Sequence, residues 1–144
     1  LYLAQSLRET SSWRSICAVY QEGGVIGGSS AGAMVFTEKL YDPFSRKVHA
    51  GLNLMPGVCL VPHHNSSCSG WISRLLKLLP DYRMLGIDEE TGVINDAPLG
   101  GWTVYGRGAA VVYHQGRVHT YTAGDSISYT ELPPPKIDLE YKKW

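Results

Sequence analysis

Apolar residues recur along this chain in two rhythms, helical at first and strand-like later. From Leu1 to about Tyr20, Leu3, Leu7, Ile16, Val19 and Tyr20 fall mostly at helical spacings, with Thr10, Ser11 and Ser12 as an interruption. Gly23 and Gly24 stop that pattern. Val25-Ile26 then reads as a short buried strand, and Ala31 to Glu38 as a helix with Ala, Met and Phe on its inner side. Tyr41 to Gly51 is polar and holds Pro43, which predicts a surface loop. The core resumes with Leu52, Leu54 and Met55, and Val58-Cys59-Leu60-Val61 reads as a buried strand that Pro62 and the polar cluster His63 to Gly70 bring to an end. Trp71 to Leu79 is helical in period until Pro80. Met84 to Ile87 is a short apolar strand running out into Asp88, Glu89 and Glu90, with Gly92-Val93-Ile94 beyond.

From Trp102 the pattern turns β-rich. Gln115-Gly116 sits between Val111-Val112-Tyr113 and Val118-His119-Thr120-Tyr121 as a hairpin turn would. Strands alternating with helices up to about residue 94 predict an α/β fold with a parallel sheet, extended by a C-terminal β-hairpin. We expect one domain over residues 1–132 and a tail over 133–144, opened by Pro133-Pro134-Pro135. Residues 1–24 supply only helix ahead of Val25, whereas a site at the carboxyl end of a central parallel strand has neighbouring strands on both sides. The expectation is the C-terminal part of a fuller domain, completed by an upstream half, a second chain or a homodimer.

Charge narrows the partners. Thirteen basic residues balance thirteen acidic ones, and no basic run stands out. Neither nucleic acid nor an anionic membrane surface is therefore expected, and a small molecule is. No apolar stretch approaches the ~18 to 20 residues of a membrane span, and no segment resembles a leader peptide. Cys17, Cys59 and Cys68 form an odd set without a Cys-x-x-Cys pair, which predicts a reducing, cytoplasmic setting rather than a disulfide framework or zinc knuckle.

Candidate chemistry starts at Gly28-Ser29-Ser30-Ala31-Gly32. This is Gly-x-Ser-x-Gly centred on Ser30, between a predicted strand and a predicted helix, the context a nucleophile elbow demands. A sharp strand-to-helix turn strains its apex and crowds the residues two before and two after. Centred on Ser29 the second flank would be Ala31, so spacing selects Ser30. The amide of Ala31, first in the following helix, is the candidate oxyanion donor.

A serine needs a base, and the base an orienting partner. Of five histidines, His49 is in the predicted loop and His114 and His119 belong to the hairpin, whereas His63 and His64 follow a buried strand directly. Adjacent histidines on extended chain point apart, and no third ligand sits at a recognised spacing, so no metal is expected. Acid candidates are Asp88, Glu89 and Glu90 at another strand end, and Asp42 after the elbow helix. The order Ser, His, acid differs from the Ser, acid, His of α/β-hydrolases unless Asp42 is the acid.

"GGSSAGAM", "LNLMPGVCLVPHHN", "RLLKLLP" and "LGIDEETGVI", in this order, resemble the serine peptidase family of aspartyl dipeptidase (peptidase E) and cyanophycinase. The resemblance runs from about Leu1 to Gly124 and implies a flavodoxin-like fold, that of class I glutamine amidotransferases. It implies Ser30 as nucleophile and, by the Pro-His pattern of dipeptidase-like members, His63 as base; the count used in cyanophycinase-like members selects His64. The cyanophycinase-type acid matches Glu89. The dipeptidase-type acid lies after the elbow helix, where Asp42 is nearest but off-spacing. Members carry a further upstream half-domain with a glycine loop that gives a second oxyanion amide. The arginine-rich stretch of cyanophycinase-like members reads Asn65 to Trp71 here.

The expectation is thus a serine hydrolase of small peptides, aspartyl dipeptides among them, using Ser30, His63, Glu89 and the Ala31 amide without metal or organic cofactor. Its rivals are a binding module of the amidotransferase-like fold without peptidase activity, and a small-ester hydrolase in which Asp42 is the acid.

Overall fold

A computed structural model describes residues 1–137. The opening helical pattern is two helices, α1 (Tyr2–Leu7) and α2 (Ser11–Gln21). Thr10 causes the break: its hydroxyl donates to the Leu7 carbonyl at 2.7 Å and accepts the Trp13 amide at 3.1 Å, ending one helix and capping the next. Helix α2 buries Trp13 and Cys17 against Leu54.

Three expectations change in the next stretch. Val25-Ile26 belongs to no strand, and Val25 is 89% exposed. An apolar pair becomes a strand only beside a backbone that takes its hydrogen bonds, and none of the described strands pairs with it. The elbow helix, expected to reach Glu38, is the single turn α3 (Ala31–Met34). Fully buried Thr37 ends it by setting its hydroxyl 2.8 Å from the Met34 carbonyl and 2.7 Å from that of Lys39. Thr37 then opens β1 (Thr37–Asp42), which pairs with β2 (Lys47–Ala50), so the polar stretch expected to be a loop is a hairpin. With β2 at the sheet edge and largely solvated, its sequence has no reason to look apolar.

The next elements follow the apolar pattern: β3 (Met55–Val61), α4 (Trp71–Leu78), β4 (Arg83–Ile87), β5 (Thr91–Ile94), β6 (Trp102–Gly106), β7 (Ala110–His114) and β8 (Arg117–Tyr121); the two-residue β9 (Ser126–Ile127) has no counterpart in it. A six-stranded sheet has the order β2-β1-β3-β4-β7-β8. Its three central strands β1, β3 and β4 run parallel, and the outer ones are antiparallel to their neighbours. The predicted hairpin is β7–β8, turning at Gln115-Gly116, where both residues have positive φ as a type I′ turn requires. Strands β5, β6 and β9 make a separate antiparallel sheet.

Strand β3 is apolar at successive positions because both its faces are covered. Val58 and Leu60, with Leu85 of β4, face the cluster holding Met34, Val104 and Val112. Cys59, Val61 and Met84 face Ile72 and Leu75 of α4. Burying a side chain as completely as Leu75 contributes about 1.5–3 kcal/mol. In register, Val61 lies opposite Gly86, so β3 and β4 end side by side and deliver Pro62-His63 and Asp88-Glu89 to the same end of the sheet, at the carboxyl termini of its parallel strands.

Of the expected tail, residues 133–137 lie against the domain: the Lys136 amide donates to the Leu54 carbonyl at 2.8 Å and Ile137 packs on the Trp13 cluster. The rest of it, residues 138–144, lies outside the described residues. Among the described residues no helix is long and apolar enough to cross a membrane.

Candidate active site

Ser30 stands at the turn between the Val25 stretch and α3 with φ 50° and ψ −119°, a conformation that costs a non-glycine residue about 1–3 kcal/mol. Ser29 shows no such strain. The two flanking glycines differ in a way the motif does not reveal. A methyl group on Gly28 would sit 2.5 Å from the Gly32 carbonyl oxygen and 2.7 Å from the Phe36 ring. On Gly32 it would meet nothing within 4 Å among the described residues. The steric argument for a bare position therefore holds two residues before Ser30 and not two residues after. Among the described residues the Ala31 amide, first in α3, donates no backbone hydrogen bond, while those of Gly32, Ala33 and Met34 turn to the carbonyls of Ser29 and Ser30.

His63 follows β3 and also has positive φ, 49°. That turn aims its ring back over the elbow, with Nε2 2.9 Å from Ser30 Oγ. On the other side Nδ1 is 2.8 Å from Glu89 Oε1, just beyond the end of β4. The carboxylate of Glu89 also accepts the Ser66 hydroxyl at 3.0 Å. The hydrogen bond from His63, then that from Ser66, hold its pKa below the usual carboxylate value. The pair is open to water, with side chains 36% and 50% exposed, so its consequence is orientation far more than stability. With Nδ1 donating to the carboxylate, Nε2 is left as an acceptor for the serine proton, the arrangement a general base needs.

His64 points away. Its Nδ1 is 3.0 Å from Asp88 Oδ1 and its Nε2 2.9 Å from the Tyr113 hydroxyl, and its amide donates to the Ile87 carbonyl. Asp88 is further occupied by the Ala109 amide at 3.0 Å. A methyl group on Gly86 would fall 2.5 Å from the His64 ring, so this glycine makes room for the imidazole. Burial, then the Asp88 charge, pushes the Tyr113 phenol up. Both nitrogens of His64 are thus engaged within the fold. Asp42 closes the β1–β2 turn, accepting the Phe44 amide at 3.0 Å and the Ser45 hydroxyl at 2.6 Å, and makes no hydrogen bond to His63 or His64. His49, expected in a loop, lies on β2 near that carboxylate. Glu90 pairs with Arg107 at 3.2 Å in solvent.

Ser30, His63 and Glu89 border a cleft of about 700 Å³ whose apolar walls include Tyr20, Ile26, Leu54 and Trp102. Glu90 has positive φ as well, so three strained non-glycine residues, Ser30, His63 and Glu90, gather at one cleft. Two neighbours of the relay carried no signal in the sequence. Asn65 and Ser66 read there as loop polarity, and only the meeting of the ends of β3 and β4 brings them to Glu89. Among the described residues no three His, Cys, Asp or Glu side chains are grouped so as to hold a metal ion.

An elbow serine bonded to a histidine that is bonded in turn to a carboxylate is the setting in which relatives become informative, and a family model described as Peptidase family S51 matches residues 1–96. The chain belongs to peptidase family S51. This is the family of aspartyl dipeptidase and cyanophycinase that the motifs resemble. Among solved structures, one titled as the crystal structure of a peptidase from an acI-B1 Actinobacterium is 30% identical, with a TM-score of 0.73 over 88% of this chain and 55% of that one. The S51 chain described here therefore spans about half the length of that peptidase. The match extends the α/β fold beyond residue 96, consistent with part of a flavodoxin-like domain. No curated protein matches the chain.

Proposed function

We propose that this S51 chain carries the catalytic centre of a serine peptidase acting on small peptides, through a Ser30-His63-Glu89 triad and an acyl-enzyme. The observation that carries this reading is the continuous relay at a strained serine: 2.9 Å from Ser30 Oγ to His63 Nε2 and 2.8 Å from His63 Nδ1 to Glu89 Oε1. In this mechanism His63 Nε2 takes the proton of Ser30 as Oγ attacks the scissile carbonyl. The developing oxyanion receives a hydrogen bond from the Ala31 amide at the start of α3. Glu89 holds the imidazole in the correct tautomer and stabilises it while it is charged. The imidazolium then gives its proton to the leaving amine, and water, deprotonated by the same nitrogen, releases the acid.

Aspartyl dipeptides are the substrate class that the family resemblance suggests, Asn65 to Trp71 lacking the arginines of cyanophycinase-like members, and the buried free cysteines suit a reducing cytoplasm. The ester-hydrolase reading with Asp42 as acid draws nothing from the geometry, since that carboxylate is committed to a hairpin turn.

The test is active-site labelling of the full-length protein with a fluorophosphonate. Ser30 is expected to be modified, and Ser30→Ala and His63→Ala to abolish the reaction. A Ser30 that stays unlabelled while a control hydrolase reacts would overturn the reading.

A further inference from the structure

We propose that Ser66 and Asn65 are positioning residues for this centre, holding Glu89 where His63 needs it; the inference rests on the function proposed above. The two sit in the loop that leaves His63, and that loop curls back on itself, with the amides of Ser66 and Cys68 donating to the His63 carbonyl at 3.0 and 3.2 Å. From there Ser66 Oγ donates to Glu89 Oε1 at 3.0 Å, the same oxygen that faces His63 Nδ1. Asn65 Oδ1 accepts the Glu89 backbone amide at 3.0 Å. The segment that carries the base thus grips the acid at two points, one on the side chain and one on the main chain.

The grip matters because Glu89 has little else to fix it. Its side chain is half exposed, and a free glutamate has several rotamers to lose when it is pinned. Withdrawal of Oε1 into water would release the His63 ring, and with it the tautomer that leaves Nε2 free to accept the serine proton. A hydroxyl on the same oxygen favours the one rotamer in which the carboxylate stays both charged and in line. Neither Asn65 nor Ser66 hydrogen-bonds Ser30; their side chains reach the relay at Glu89, and Ser66 also bonds the main-chain carbonyl of His63.

Rates of fluorophosphonate labelling of Ser30 in the full-length protein provide the test. Ser66→Ala should slow labelling about tenfold, the worth of one hydrogen bond to a charged group. Ser66→Thr, which keeps the hydroxyl, should stay within about threefold of the unaltered protein. The deciding readout is a double-mutant cycle: in a Glu89→Ala background, Ser66→Ala should slow labelling no further. Both residues are exposed, and an unchanged urea midpoint separates a lost contact from a lost fold. An undiminished rate in Ser66→Ala overturns this inference alone, as does an equal loss in the Glu89→Ala background or a failure of Ser66→Thr to keep the rate. If the unaltered protein does not label at all, the proposed function falls and this inference with it.

Discussion

The two glycines of the elbow motif offer a sharp test, because a pattern match treats them alike and the structure does not. Consider Gly28→Ala beside Gly32→Ala. In the first, the new methyl would stand 2.5 Å from the Gly32 carbonyl oxygen and 2.6 Å from its carbon, about 0.9 Å inside the 3.4 Å where ordinary contact begins. Both obstacles are backbone, so the elbow itself must open by most of that distance. A displacement near 1 Å at a reacting group costs on the order of 10²-fold in rate, and overpacking costs about 1–3 kcal/mol in stability. In the second, the methyl meets nothing, Gly32 lacks positive φ, and alanine is the better helix former by about 0.8–1 kcal/mol. Fluorophosphonate labelling rates read the site, and urea midpoints read the fold. Gly28→Ala should lose about 10²-fold in labelling with a lower midpoint, and Gly32→Ala should keep its rate within about threefold with an equal or higher midpoint. Equal behaviour of the two variants, whether both tolerated or both crippled, would refute the steric reasoning.

Two further outcomes follow from the parting of the adjacent histidines. His64→Ala strands Asp88 and the Tyr113 hydroxyl, so it should cost about 1–3 kcal/mol in chemical denaturation while the folded protein still labels at Ser30; loss of labelling with unchanged stability would reassign the base. The depressed pKa of Glu89, due first to His63 and then to Ser66, makes a stability contribution that is present above its ordinary value of 4.5 and lost as pH falls through the lower native value. The gap in urea midpoint between the unaltered protein and Glu89→Gln should therefore close in that acid window, and a gap that widens there would contradict the sign of the shift.

The strain at Ser30, His63 and Glu90 has a common architectural cause. Each lies where the chain turns sharply at the rim of the cleft; at Ser30 and His63 the turn sets the side chain toward its partner in the relay, while the Glu90 side chain pairs with Arg107 in solvent. A relaxed conformation at His63 would carry its ring along the line of β3, away from Ser30. The well-packed central strands, with Val58, Val61 and Met84 fully buried, supply the rigidity against which such turns are held.

Sequence alone determined the features whose cause is local. The apolar residues announced α2 and α4, which bury one face, and β3, β4 and β7, which lie in the core, while Gln115-Gly116 announced the turn into exposed β8. Glycine spacing singled out Ser30 through its second flank, Gly32, yet in the folded chain only the first, Gly28, is bare for a steric reason. Whatever depends on a distant neighbour was decided by the tertiary structure. Val25-Ile26 has the composition of a strand and no described strand to pair with, and the polar 41–51 segment became a hairpin because β3 offered β1 an edge. The choice between His63 and His64 was likewise beyond the reach of pattern. The two residues are neighbours of one kind, and only the side-by-side ends of β3 and β4, the bare Cα of Gly86 and the reach of Tyr113 send one ring to Ser30 and the other into the fold.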